Sequence, residues 1–291
     1  MKSWGGDWTK QKLDAFEKYV RAYLKIMNKQ KEKYNGWPTT IYFDGFAGSG
    51  INLPKEDNLK SDPLNGLELE NEASQYYVGA AERVVSMDLS FDEYYFVDYN
   101  KKAIESLKKK LSPSQKGNRV YKYIVKDVNE GINKLSLHLD SKKSALVFLD
   151  PFGMDIQWNT ISLLKGKRVD LWILIPTGVA INRLLDREGE LRHLDKLEEC
   201  LGLSETEIKR EFYLEREEFN LFNGKIKSLE KISDSISHIT KLYIKQLKTI
   251  WNFVTDEPLV LINSKNVPIY HFVFASNNQT ALKIASGIIK G

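Results

Sequence analysis

The chain has 291 residues and a formal net charge of +4, with 28% charged and 42% hydrophobic residues. That length can bury a large core as one big domain or two small ones, and the composition is that of an ordinary globule, which excludes bulk disorder. The single cysteine, Cys200, excludes an internal disulfide and fits a reducing cytosol, no apolar run is long enough to span a membrane, and the mild positive balance is weak support for a polyanionic partner.

Residues 9–34 read as an amphipathic helix, capped by Thr9, with Leu13, Phe16, Val20, Leu24 and Met27 on one stripe. "YNGWP" at 34–38 breaks it. Strands and helices then alternate: a strand at 39–43, a polar, turn-rich loop at 51–72, a helix at 75–88, a strand at 93–97 and a helix at 100–111. A third strand follows at 120–125, a short helix at 129–138, a fourth strand at 145–149 and a fifth, nearly all apolar, at 171–175. This rhythm predicts a parallel sheet with helices on both sides. Residues 184–226 are charged and helix-prone, and a long helix is expected at about 229–252. The closing strands, 259–263 and 269–276, are joined by a link too short for a parallel crossover and are expected to be antiparallel.

The first strand runs into "DGFAGSG", with Gly45, Gly48 and Gly50. No Lys-Ser/Thr follows, so this is not a phosphate loop, and the spacing G-x-x-G-x-G reverses the dinucleotide fingerprint. A glycine-rich turn that lets the backbone approach a ligand, or one with no ligand, remains. An aspartate ends each of four consecutive strands: Asp44, Asp98, Asp127 and Asp150. Ligands of open parallel sheets bind at these carboxyl ends. There Asp98 can accept both ribose hydroxyls, and Asp127 can meet an adenine amino group. Each aspartate is also an ordinary turn or helix-cap residue.

The order DGFAGSG, FVD, KD, LDPFG resembles the class I S-adenosylmethionine-dependent methyltransferases. More specifically, "WTKQKLDAFEKYVRAYL", "YFDGFAGSG", "LVFLDPFGMDIQWNTI", "DLWILIP", "INRLL" and "HFVFAS" resemble the three-Cys-motif partner proteins. The likeness spans nearly the whole chain and is weakest over 51–72 and 187–226. It implies an α/β, Rossmann-like fold with a seven-stranded, mostly parallel sheet and an antiparallel last strand. The expected organisation is an N-terminal helical extension at 1–38 and a methyltransferase unit at 39–291, with a loop insertion at 51–72 and a helical insertion at 184–226. The resemblance implies S-adenosylmethionine as cofactor and S-adenosylhomocysteine as product. Phe46, Gly48 and Gly50 would pack on its methionine part, Asp44 would hold the amino group, Asp98 the ribose, and Asp127 with Val128 the adenine. Asp150 to Gly153 would line the site of methyl transfer. Asp98 follows Asp44 at far more than the roughly 20 residues of a tight βαβ unit, a departure that the 51–72 insertion accounts for.

"DPFG" suits an exocyclic nucleobase amine, whose lone pair is delocalised. Asp150 and the carbonyl of Pro151 can accept its two N–H bonds while Phe152 stacks on the base. D-P-F-G also looks like the motif of tRNA guanine-N2 dimethyltransferases, but it departs from D/N-P-P-Y/F because Gly153 stands at the aromatic position. Trp158 and Arg183 follow the fourth and fifth strands as candidate substrate contacts, and Arg183 could equally form a surface salt bridge. Trp4 and Trp8 could stack on a base or pack as core. The four histidines have no metal spacing, so no metal is expected. Three functions are consistent: a methyltransferase on a nucleobase amine in RNA, DNA or a nucleotide; one on a small molecule or peptide; and a non-catalytic cofactor-binding subunit that partners a three-Cys-motif protein. The expected compartment is the cytoplasm.

Overall fold

The computed structural model describes residues 7–49, 78–220 and 224–291. The expected 51–72 loop insertion, Trp4 and Gly50 lie outside the described residues. Helix α1 (Asp7–Lys33) leads into strand β1 (Thr39–Asp44), and the chain continues through α2 (Ala80–Val85), β2 (Glu93–Asp98), α3 (Lys101–Leu111), β3 (Val120–Val125), α4 (Val128–His138) and β4 (Lys143–Leu149). It goes on through α5 (Trp158–Ser162), β5 (Val169–Ile175), α6 (Asn182–Leu184), α7 (Leu194–Leu201), α8 (Glu205–Phe212) and the strands β6 (Tyr213–Asn220) and β7 (Gly224–Lys231). It closes with α9 (Ser235–Leu247), β8 (Phe253–Val254), β9 (Leu259–Ile262), β10 (Pro268–Ser276) and α10 (Gln279–Lys290).

The central sheet runs β3-β2-β1-β4-β5-β10-β8, and β9 also pairs with β10. Strands β1 to β5 are parallel, whereas β10 is antiparallel to β5, β8 and β9. The Rossmann-like α/β fold with an antiparallel closing strand is therefore present: seven strands lie along one path and β9 makes an eighth. The alternation of buried side chains explains why the strands read as continuous apolar runs. In β4, Ala145, Val147 and Leu149 enter one core while Leu146 and Phe148 enter the other. Helices α4, α5, α7, α8 and α9 cover the first face, and α1, α2, α3 and α10 the second.

Helix α1 was expected as an extension, but it belongs to the same packed body. Its stripe, which gains Tyr19 and Tyr23, shares a core with β1, β4, β5 and β10. Polar anchors fix it along the sheet. The Tyr19 hydroxyl donates to Asp170 at 2.7 Å, and the Tyr23 hydroxyl to Ser144 at 3.0 Å. Lys31 pairs with Asp92 at the amino edge of the sheet, and Lys12 with Asp150 at the carboxyl edge. The helix thus runs antiparallel to β4, with its first turns over the carboxyl edge.

The expectation of helix through residue 226 needs correction. Helices α7 and α8 form, but residues from Tyr213 onward make the hairpin β6–β7. Charges that suit an amphipathic helix also suit cross-strand pairing: Lys227 meets Glu215 at 3.2 Å, and Arg216 pairs with Glu230. The expected long helix shortens to α9, and α10 was not foreseen, although Asn278 caps it by accepting from the Thr280 N–H at 2.9 Å.

Candidate cofactor and transfer site

The strand order reverses between β1 and β4, so the turns after these strands leave toward opposite faces and open a crevice at the carboxyl edge. The registers put the four aspartates there. Asp44 is level with Phe96 on β2 and Phe148 on β4. Asp98 and Asp150 each stand two residues beyond those partners, on opposite sides of Asp44, and are separated by roughly 10 Å at about 4.8 Å per strand. Asp127 stands two residues beyond Val125, the partner of Asp98.

Asp44 is buried. Its carboxylate accepts the Tyr42 hydroxyl at 2.9 Å and the Phe46 N–H at 3.3 Å. Burial pushes its pKa up from the usual carboxylate range to about 7, and the neighbouring Asp150 and Asp98 add repulsion against the two hydrogen bonds. A carboxylate in that state gains from a cationic ligand group.

The turn after β1 is tied to both neighbouring strands. Gly45 N–H donates to the Phe148 carbonyl and Ala47 N–H to the Val97 carbonyl, each at 3.0 Å. The turn needs its glycines for two reasons. A Cβ at Gly45 would stand 2.6 Å from Leu149 and 2.9 Å from Val128, and Gly48 has φ +57°. Gly48 N–H donates to Asp98 Oδ2 at 3.0 Å, and Asp98 Oδ1 accepts from the Asn100 N–H at 2.8 Å. Asp98 is thus oriented by a backbone donor on each carboxylate oxygen, and each oxygen keeps a lone pair for a further donor. Phe46 is partly buried against the core.

The other predicted cofactor residues divide. Asp127 caps α4, accepting from the Asn129 N–H at 2.8 Å, and is exposed. Val128 is buried beneath Gly45, in the core under the turn. The exposed Tyr99, next to Asp98, is an aromatic surface at this edge that the sequence reading did not single out.

At the end of β4 the structure adds a residue that sequence reasoning missed. Lys12 Nζ donates to Asp150 Oδ1 at 2.7 Å and to Oδ2 at 2.6 Å. The lysine side chain is 6% exposed and the aspartate 24%. The ammonium also lies 5.4 Å from the centre of the Trp8 ring. Trp8 stacks on Tyr270 of β10, and the Tyr270 hydroxyl donates to the Phe152 carbonyl at 3.3 Å. The first turns of α1 and the start of β10 therefore clamp the 150–153 turn. Within it Pro151 is buried, Phe152 is 70% exposed, and Gly153 N–H donates to Asp155 at 3.3 Å. A lysine within an amphipathic stripe, one turn before Phe16, was the available signal for Lys12, but nothing local linked it to Asp150.

Trp158 and Arg183 are not brought to Asp150 by any contact. The Trp158 ring meets Tyr243 edge-on at 5.7 Å and covers Gly202, where a Cβ would stand 2.1 Å away. It is engaged in packing between α5, α7 and α9. Arg183 lies exposed on α6.

No protein-family model matches the chain, and no curated protein matches it in sequence. Solved structures match at low similarity. Protein LPL1258 from Legionella pneumophila is 15% identical, with a TM-score of 0.39 over 92% of this chain and 97% of that one. Trm1 from Pyrococcus horikoshii, solved with S-adenosyl-L-methionine, is 10% identical, with a TM-score of 0.37 over 96% of this chain and 71% of that one. The plantazolicin methyltransferase BamL, solved with S-adenosylhomocysteine, is 11% identical, with a TM-score of 0.31 over 94% of this chain and 89% of that one. At such values these likenesses carry no argument about activity, and the finer resemblance to three-Cys-motif partner proteins rests on the sequence motifs alone.

Proposed function

We propose that the chain is an S-adenosylmethionine-dependent methyltransferase acting on an exocyclic amine of a nucleobase in RNA, DNA or a nucleotide. The observation that carries this reading is the buried Asp44 flanked by Asp98 and Asp150 at the switch point of the sheet. Carboxylates at that place repel a pyrophosphate and attract a cation. The ligand best matched to them has an ammonium group for Asp44 and a ribose diol for Asp98, with its reacting centre toward the Lys12–Asp150 pair. When bound, S-adenosylmethionine supplies a methyl group on a cationic sulfur.

The chain's own residues supply alignment. Asp44 holds the ammonium, and Gly45 and Gly48 keep the turn close enough to do so. Phe152 offers an exposed ring on which a planar base can stack. Asp150 and the Pro151 carbonyl accept the N–H bonds of the amine, which localises the nitrogen lone pair. The solvent-open side of Asp150 lets the displaced proton leave to water.

Two measurements test the reading. Calorimetry with S-adenosylmethionine is expected to show one site per chain; no binding at millimolar ligand would refute the methyltransferase reading. Transfer of labelled methyl from the cofactor to pools of RNA, DNA, nucleotides, protein and small molecules is expected to label an exocyclic base amine. Label found solely in the protein or small-molecule pool would refute the acceptor.

A further inference from the structure

We propose that Lys12 is a positioning residue that sets the charge presented by Asp150 to the cofactor's sulfur. The proposal rests on the methyltransferase reading and extends it to α1. The ion pair is bidentate, its lysine is almost fully enclosed, and the ammonium also lies against the Trp8 ring. Asp150 is therefore held in one orientation, with a compensating positive charge on the side facing α1. The pair presents a dipole to the crevice, whereas a lone strand-end carboxylate would present a full negative charge.

This arrangement has a consequence for ligand choice. S-adenosylmethionine carries a sulfonium, while S-adenosylhomocysteine carries a neutral thioether and is otherwise the same at Asp44 and Asp98. An unopposed Asp150 would favour the sulfonium form and hold it in its ground state. Pairing with Lys12 moderates that preference, so that substrate and product cofactors bind more evenly and the attraction is not spent before transfer. The surrounding carboxylates, Asp44 and Asp98, act on both ligands through groups they share.

The test needs no knowledge of the acceptor. Dissociation constants of S-adenosylmethionine and S-adenosylhomocysteine are measured by calorimetry at low salt for the wild type, Lys12→Met, Lys12→Arg and the double variant Lys12→Met with Asp150→Asn. Removing the lysine charge is expected to shift the ratio about tenfold toward S-adenosylmethionine, the size of one unit charge acting across several ångströms at a partly solvated site. Lys12→Arg and the double variant are expected to keep the wild-type ratio, because each leaves the pair without net charge. A folded Lys12→Met protein with an unchanged ratio would overturn the proposal. Should Lys12→Met not fold, the double variant decides. A wild-type ratio supports a neutral pair, and a loss of about tenfold in preference for S-adenosylmethionine shows that Asp150 acts alone. Failure of the methyltransferase reading looks different, since neither ligand would bind the wild type.

Discussion

Replacing Asp44 by asparagine is expected to make the free protein more stable while impairing cofactor binding. In the folded chain burial raises the Asp44 pKa from 3.8 to about 7. A group raised in this way favours folding below its unfolded value and loses that contribution as pH rises through the folded value. The wild type should therefore lose about 3 kcal/mol between pH 5 and pH 8 from this residue alone, at about 1.36 kcal/mol per pH unit up to the folded value. Asparagine keeps the shape and carries no charge to desolvate. Its oxygen can accept the Phe46 N–H, and its amide can donate to the Tyr42 hydroxyl, which turns to accept. Urea unfolding of both proteins at pH 5 and pH 8 isolates the term, because all other titrations are common to the two. The difference in stability should grow in favour of Asp44→Asn by about 3 kcal/mol at the higher pH. In the wild type, S-adenosylhomocysteine should bind more weakly below pH 7, since its ammonium needs the ionised carboxylate, and the variant should lack that dependence. A variant that tracks the wild type at both pH values would refute the burial argument, and one that binds the ligand normally would refute the role assigned to Asp44.

Asp98→Ala should remove most of the rise in melting temperature caused by S-adenosylhomocysteine, because it deletes ribose acceptors worth about 1.5–3 kcal/mol each and the partner of Gly48 N–H; a wild-type-like rise would place the ribose elsewhere. Asp150→Asn should cost about 3 kcal/mol of stability, since it leaves the enclosed Lys12 ammonium without its counter-charge. Equal unfolding midpoints for variant and wild type would show that the pair is energetically idle. Replacing residues 214–230 with a short glycine-serine link, which the adjacent ends Tyr213 and Lys231 permit, should leave S-adenosylhomocysteine binding intact; loss of folding would show that the β6–β7 hairpin is part of the core.

Much of the architecture was legible because it depends on local pattern. Apolar runs announced β1 to β5, the short link at 264–268 announced an antiparallel pair, and an aspartate ending each of the first four strands marked the edge where ligands of such sheets bind. The stripe of α1 was equally plain. Its destination was not, because nothing in 9–34 says which surface will cover it. The charged stretch at 213–231 failed for a related reason: the same alternation of Lys and Glu serves i,i+4 pairs on a helix and cross-strand pairs in a hairpin, and only the partner strand decides between them. The site shows the same division. Asp44, Gly45 and Gly48 are neighbours in the chain, so their turn could be read directly. The Lys12–Asp150 pair spans 138 residues and the Tyr270–Phe152 contact 118. Such pairings arise when α1 and β10 are laid beside β4, and so does the burial that gives Asp44 its altered proton affinity. Sequence determined which groups stand at the carboxyl edge; tertiary packing decided the burial of Asp44 and the partner of Asp150, because solvent exclusion and long-range counter-charges exist only once the layers are assembled.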